Sequence, residues 1–479
     1  MLSQTRIFPL FGLTIALLSP SFAAEEAAPA LKPNIIYILA DDLGYGDLSF
    51  LGQEKFATPH IDQLAAKGMF FSEHYSGSSV CAPSRACLLS GKHSGRAYIR
   101  GNREINPEGQ EPIPAEIELL PEMLREAGYV SGAFGKWGLG FPGSEGDPLN
   151  QGFDEFYGYN CQRLGHHYYP YHLWDGKEKV MLEENAGEAK VVYAPNLIHD
   201  RTLAFIEKHK DQPFFCYVAS IIPHADLDAP EEYMEKFRGK FPPGKPYKGV
   251  DKGPNLRNGP YQSQDEPRVA FAAMITLLDD QVGEIVAKTE ELGIADNTLI
   301  IFTSDNGAHE EGGADPDFFD SNGIFRGHKR DLYEGGVHVP MVAYWPGHIA
   351  AGTESKQISA FWDMVPTFTE LAGLEAPEDI DGISIVPTLI GKGEQRDHSY
   401  LYWEFHERGG RIAVRKGKWK AVKYNHGKNA NSPVELYDLS KDKSETTDVS
   451  AEFPEIVQEL VKCMKEAHEE SEVFPFRAP

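Results

Sequence analysis

Three stretches of this chain are continuous apolar runs rich in β-branched and aromatic residues, and each stops abruptly at residues that carry chemistry. Asn34 to Ala40 runs into Asp41-Asp42, residues 214–222 run into Pro223-His224-Ala225-Asp226, and residues 298–303 run into Ser304-Asp305-Asn306-Gly307. A strand with one solvated face alternates apolar and polar residues, whereas a strand covered on both faces stays apolar throughout. The runs therefore predict parallel strands with helices on both sides. Ligands of such open α/β sheets gather at the carboxyl ends of the strands, which is where the Asp, Asn and His residues lie.

Helical periods separate the runs, at residues 58–67 before Gly68, 119–127 before Gly128, and 269–292. Shorter strands are expected at 70–75 and 129–134, the second breaking into Gly135-Lys136-Trp137-Gly138 so that Lys136 leaves a strand end. The expected class is α/β, with a large mixed, mainly parallel sheet flanked by helices. From about Gly373 the pattern changes to short strands at 400–405, 411–415, 419–424 and 434–437, then a helix over 454–469. We expect a catalytic domain over 24–374 and a smaller antiparallel sheet plus helix over 375–479. Residues 142–196 are rich in Gly, Tyr, His and Asn with few periodic apolar positions, and read as a long loop excursion. Its Tyr, Asn, Arg163, His166 and His167 suit either sugar recognition or aromatic packing.

The amino terminus carries Arg6, an apolar run over 7–18 and the small-x-small site Ser21-Phe22-Ala23, which reads as a signal peptide over 1–23. That run is shorter than the roughly 20 residues needed to span a bilayer. Export to the periplasm or medium is expected, with no membrane partner. Five cysteines (Cys81, Cys87, Cys161, Cys216 and Cys463) in 479 residues are too few for disulfides to be the main support. A formal charge of −26 leaves no basic surplus for nucleic acid or anionic membranes. A chain this acidic handles an anionic substrate only by concentrating cations, or a metal, at one place.

Asp41 and Asp42 offer two hard oxygen donors, suited to Ca²⁺ or Mg²⁺ if the chain bends there, and Gly44 and Gly46 permit a bend. The same pair also reads as a solvated acidic turn. Ser78-Ser-Val-Cys81-Ala-Pro83-Ser-Arg85-Ala-Cys-Leu-Leu-Ser-Gly91 places Cys81 at the start of a helix with Arg85 one turn on. Helix amides and a cation favour a reactive sulfur or a bound anion beside it; a buried, inert cysteine is the other reading.

Cys81-Ala82-Pro83-Ser84-Arg85 resembles the C-x-P-S-R signature of the formylglycine-dependent (type I) sulfatases, in the alkaline-phosphatase-like superfamily. The likeness extends in order over nearly the whole chain after the signal peptide. It implies that Cys81 is oxidised to formylglycine by a maturation enzyme, its hydrate serving as nucleophile. It also implies that Asp41, Asp42, Asp305 and Asn306 hold Ca²⁺ together with residue 81. Arg85, Lys136 and Lys329 would surround the sulfate, and His224 would stand near the leaving oxygen. The family usually has Gly-Lys-x-His where this chain has Gly135-Lys136-Trp137-Gly138; His166, His167 and His309 are candidates to replace the missing histidine, to bind substrate alongside Arg163, or merely to pack. Sulfatases sharing Gly-Lys-Trp-Gly suggest a galactose or N-acetylgalactosamine 4-sulfate, within a sulfated carbohydrate. The competing readings are a metal-dependent phosphodiesterase or phosphonate hydrolase of the same superfamily, against which Cys81 counts, and a non-catalytic sugar-binding relative.

Overall fold

The first apolar run, Asn34–Ala40 (β1), lies inside a ten-stranded sheet. Its alternate side chains enter two different cores, Ile36, Ile38 and Ala40 on one face and Ile35, Tyr37 and Leu39 on the other. This is why the sequence stays apolar through the strand. The computed structural model describes residues 32–476 and three isolated positions before them, 1, 2 and 5. Those three apart, the expected signal peptide lies outside the described residues.

Val130–Lys136 (β2), Glu155–Tyr159 (β3), Phe214–Ala219 (β4) and Thr298–Ser304 (β5) complete a parallel centre in the order β5, β1, β4, β2, β3. Parallel ladders join each neighbouring pair. Met341–Tyr344 then adds antiparallel to β5, making the sheet mixed. Helices Pro59–Lys67, Ala194–His209 and Pro267–Glu291 contribute to the first core; Cys81–Ser90, Leu120–Glu126 and Met364–Ala372 contribute to the second. Four strands, Leu401–Phe405, Arg411–Lys416, Trp419–Tyr424 and Val434–Asp438, form a separate antiparallel meander. Helix Pro454–Ala467 packs on that sheet through Leu460, Cys463, Met464 and Ala467.

Residues 142–196 are not the loop excursion expected. They supply β3 and the hairpin His172–Asp175 and Glu178–Met181, which extends the main sheet by two antiparallel strands. The hairpin turns at Gly176-Lys177, between the paired Asp175 and Glu178, with Gly176 at φ 57°, a glycine-first turn signal that the Tyr- and His-rich composition obscured. Likewise 70–75 splits into Met69–Phe71 and His74–Tyr75, which belong to different sheets. All five cysteines are buried and unpaired. Among the described residues no helix is long and apolar enough to cross a membrane.

Candidate active site

Four central strands end side by side, and the residues that follow them meet. Asp305 N–H donates to Ala40 O at 3.0 Å, continuing the β1–β5 ladder one step, and Asp41 N–H donates to Ile222 O at 3.0 Å just beyond β4, so the exits of β1, β4 and β5 are fixed together. Adjacent residues of a strand point to opposite faces, yet the neighbours Asp41 and Asp42 both reach one cluster. The bend that allows this is at Asp42 itself, in the left-handed region at φ 67°; aspartate tolerates that conformation better than most residues. Gly44, at φ −73°, is not the hinge. Gly44 and Gly46 instead admit the backbone of residues 320–323, since a Cβ on either would stand 2.1 or 2.2 Å from Ser321 O or Asp320 O.

Cys81 is the first residue of the helix Cys81–Ser90, and its Sγ lies 3.1 Å from Asp41 Oδ1, 3.9 Å from Asp42 Oδ1 and 3.6 Å from Lys136 Nζ. Lys136 Nζ donates to Asp41 Oδ2 at 2.7 Å, and Lys329 Nζ to Asp42 Oδ2 at 2.7 Å and His224 Nε2 at 2.9 Å. Asn306 Nδ2 donates to Asp42 Oδ1 at 2.7 Å, and Asp305 Oδ1 accepts from Asp42 N–H at 3.1 Å. All these side chains are buried. The structure thus brings together Asp41, Asp42, Cys81, Arg85, Lys136, His224, Asp305, Asn306 and Lys329.

The electrostatics correct one expectation. Burial, then the Asp41 carboxylate, push the Cys81 thiol well above its usual range despite Lys136 and Lys329, so the helix start does not make this sulfur reactive as a thiol. Arg85 does not face it either: its Nε and Nη2 donate to Asp305 Oδ2 at 3.2 and 2.9 Å, and Nη1 donates to Lys136 O. Burial would raise the Asp41 pKa, but the charges of Lys136, Arg85 and Lys329 outweigh it and hold the carboxyl well below the usual range. Burial, then Lys329 and Lys136, keep His224 neutral. Its Nδ1–H donates to Ala225 O, leaving Nε2 to accept from Lys329.

The three substitute histidines differ. His166 stacks on His224 with ring centroids 4.6 Å apart, and His224 on His309 at 5.7 Å. His167 is held by Asp226 Oδ2 at 2.8 Å through Nδ1 and by Gly259 N–H at 3.1 Å through Nε2, which ties down backbone and leaves neither nitrogen for substrate. His309 is similarly held, by Pro223 O and Glu311 N–H. Arg163 lies away from the cluster, its guanidinium bound by Glu104, Asn258 and Pro107 O, so it clamps loops together. Sequence reasoning missed Glu311, which lies 3.3 Å from Lys329 Nζ, pairs with Arg330 and accepts from Tyr261 Oη at 3.0 Å. Acidic residues soon after Asp305-Asn306 were the available signal. Asn102 was also missed; its Oδ1 accepts from Ala82 N–H at 3.2 Å.

The donor set fits a hard divalent cation. Asp41, Asp42 and Asp305 bring carboxylate oxygens to one buried place, and Asn306 Oδ1 is buried without a partner, as an amide oxygen would be if kept for a metal. A thiol is a soft ligand out of keeping with them; an oxygen at residue 81 would match.

Buried carboxylates interleaved with lysines at the strand ends of an alkaline-phosphatase-like fold define a hydrolase of anionic esters. The Sulfatase family model matches residues 33–374, and the model described as N-sulphoglucosamine sulphohydrolase, C-terminal, matches 322–471. The N-acetylgalactosamine-6-sulfatase of Mus musculus is 34% identical over 81% of this chain and 71% of its own length. The arylsulfatase A of Homo sapiens is 33% identical over 91% of this chain and 88% of its own. Among solved structures, Ps i-CgsB in complex with k-i-k-neocarrahexaose superposes with a TM-score of 0.74 at 30% identity, covering 91% of this chain and 92% of that one. The chain belongs to the sulfatase family and is a sulfuric ester hydrolase.

Proposed function

We propose that this protein is exported and cleaves a sulfate ester of a galactose or N-acetylgalactosamine unit in a sulfated carbohydrate, using Ca²⁺ and a formylglycine made from Cys81. The observation that carries the reading is the position of Cys81 Sγ between Asp41, Asp42 and Lys136, beside the unpartnered Asn306 Oδ1. Asp41, Asp42, Asp305 and Asn306 would hold the ion, with residue 81 completing the set. The ion supplies charge that lowers the proton affinity of an oxygen beside it. Residue 81, once oxidised by a maturation enzyme, supplies the nucleophilic oxygen.

The chain's own residues then divide the work. Lys136 reaches the cluster from the end of β2 and Lys329 from the turn at 329–330, and their ammonium groups would meet the anionic ester and the charge that grows on it. Lys329 and His224 hold a proton between Nζ and Nε2, 2.9 Å apart, for the departing oxygen. Arg85 keeps Asp305 and the Lys136 backbone in place and does not touch the ester. His166, stacked on His224 with Nδ1 buried and unpartnered, is our choice for the role of the histidine missing at Gly138. Residues 24–374 would form the catalytic part and 375–479 a second part that walls the approach. A cleft of about 900 Å³ supports this division, since Asn102 and Arg103 line it from one side and His406, Arg408 and Lys428 from the other.

The resemblance to sulfatases with Gly-Lys-Trp-Gly suggests a 4-sulfate, whereas relatives are named N-acetylgalactosamine-6-sulfatase. The deciding experiment assays matured enzyme for free sulfate on defined 4- and 6-sulfates of galactose, N-acetylgalactosamine and glucosamine. Release from a galacto-configured member is expected; release from glucosamine sulfates alone would refute the sugar assignment. Two further outcomes are expected. Chelation should abolish turnover and lower the melting temperature, with calcium restoring both. His224→Ala should reduce kcat on a sugar sulfate at least ten times more than on 4-nitrophenyl sulfate, whose phenolate needs little protonation, within the roughly 10²–10⁴-fold range of acid catalysis. Equal losses would remove His224 from that role.

A further inference from the structure

The segment from Asn160 to His167 closes over Lys136: a Cβ on Gly165 would stand 3.3 Å from Lys136 Cδ and Cγ, and His166 stacks on His224. Two amides of this segment carry unmet hydrogen-bonding capacity. Asn160 is fully buried with neither Nδ2 nor Oδ1 partnered, and Gln162, 4% exposed, has Oε1 unpartnered. A buried polar atom without a partner costs about 1–3 kcal/mol, so such atoms in a native protein point to a ligand or water.

Gln162 is held in this orientation. Its backbone N–H donates to Gln110 Oε1 at 2.9 Å and its Nε2 approaches Trp137 O at 3.4 Å. Turning the amide over would press Oε1 against that carbonyl. The pairing of β2 with β3 also continues past Lys136, with Gly138 N–H donating to Asn160 O at 3.2 Å. Gly138 has φ 87°, and a Cβ there would lie 1.7 Å from Gln162 Nε2. A side chain at 138 and the amide of Gln162 exclude one another, so Gln162 takes the space that a residue-138 side chain would enter.

The unmet atoms identify what they receive. Gln162 Oε1 and Asn160 Oδ1 accept, and Asn160 Nδ2 donates. Sulfate oxygens only accept, so they leave both carbonyls unmet. A hydroxyl donates once and also accepts, so a sugar hydroxyl meets one carbonyl and Asn160 Nδ2, and a neighbouring hydroxyl or a water meets the other carbonyl. A hydroxyl on residue 81 is not the one required, because Cys81 Sγ already has Asp41 Oδ1 at 3.1 Å to receive a proton.

We propose that Asn160 and Gln162 are a specificity-determining pair that recognises a free sugar hydroxyl next to the sulfate ester, on the Lys136 side of the site. The proposal rests on the sulfatase reading and names the feature of the substrate that the site selects. Matured wild type and Gln162→Met would be assayed on the best sugar sulfate of the panel, its monodeoxy analogues and 4-nitrophenyl sulfate. The variant should lose on the order of 10- to 100-fold in kcat/KM on the sugar, the effect of leaving a buried group unpaired, and at least tenfold less on the aryl ester. Wild type should lose a similar factor on one deoxy analogue, and Gln162→Met should lose little more on that analogue. Asn160→Ala should repeat the pattern, and the wild-type comparison needs no variant to fold. Equal losses on sugar and aryl ester, or additive losses for every hydroxyl, would overturn the proposal and leave only bound water at these amides. Wild type inactive on every sulfate would instead refute the sulfatase reading.

Discussion

Cys81→Ala protein should release no sulfate above background from any ester and still melt within a few degrees of wild type. The expected loss is on the order of 10⁶-fold, as for removal of a nucleophile that acts within a unit. Folding should survive because the substitution removes one buried atom, and Asp41 keeps Lys136 Nζ at 2.7 Å while Arg85 Nη2 stays 3.7 Å away. The two halves of the prediction separate chemistry from support. Turnover near wild type would sink the nucleophile assignment; loss of folding would make Cys81 a packing residue. Wild type made without the maturation enzyme should match the variant, because burial and Asp41 hold its thiol protonated. Peptide mass spectrometry over residue 81 reads which form was assayed.

What the sequence disclosed follows from what each signal encodes. Burial on both faces leaves a pattern in one strand, so β1, β4 and β5 were legible as uninterrupted apolar runs, and their exits located the acidic residues. The hairpin at His172–Asp175 and Glu178–Met181 was not legible, because half-exposed strands such as Glu178-Lys-Val-Met181 carry neither an apolar run nor a clean alternation. Asp42 shows a different limit. A left-handed aspartate leaves no mark in composition, whereas the nearby glycines invite the bend to be placed on them; their actual service, admitting residues 320–323, depends on a segment far along the chain.

The site divides the same way. Residues that leave strand ends were found, since topology brings such ends together. Partners chosen by tertiary contact were not: nothing near Arg163 in sequence indicates Glu104 and Asn258, and nothing near Lys329 indicates Glu311. The resemblance placed Arg85 at the sulfate and the composition of residues 142–196 placed Arg163 with the substrate; the Arg163 guanidinium is held by Glu104, Asn258 and Pro107 O, and that of Arg85 by Asp305 and Lys136 O.

Arg85→Met tests that reassignment through stability. The guanidinium and the Asp305 carboxylate are 1% and 0% exposed, and Asp41 Oδ2 lies 3.7 Å from the same nitrogen. Met preserves much of the packing volume and removes the charge, leaving Asp305 beside two other carboxylates with one cation fewer. Breaking a buried pair from one side costs about 3–5 kcal/mol, so the denaturation midpoint should fall by a margin few single substitutions reach. Activity should fall with it. Arg85→Lys should recover little, because an ammonium cannot reproduce the planar fork that spans Asp305 Oδ2 and Lys136 O. Calcium distinguishes this cause from lost packing: a cation bound only by the folded protein stabilises it, and the protein short of a positive charge gains more from each bound ion. The rise in midpoint on adding calcium should therefore be larger for Arg85→Met than for wild type. A midpoint equal to wild type, with activity lost through a raised KM alone, would return Arg85 to the sulfate.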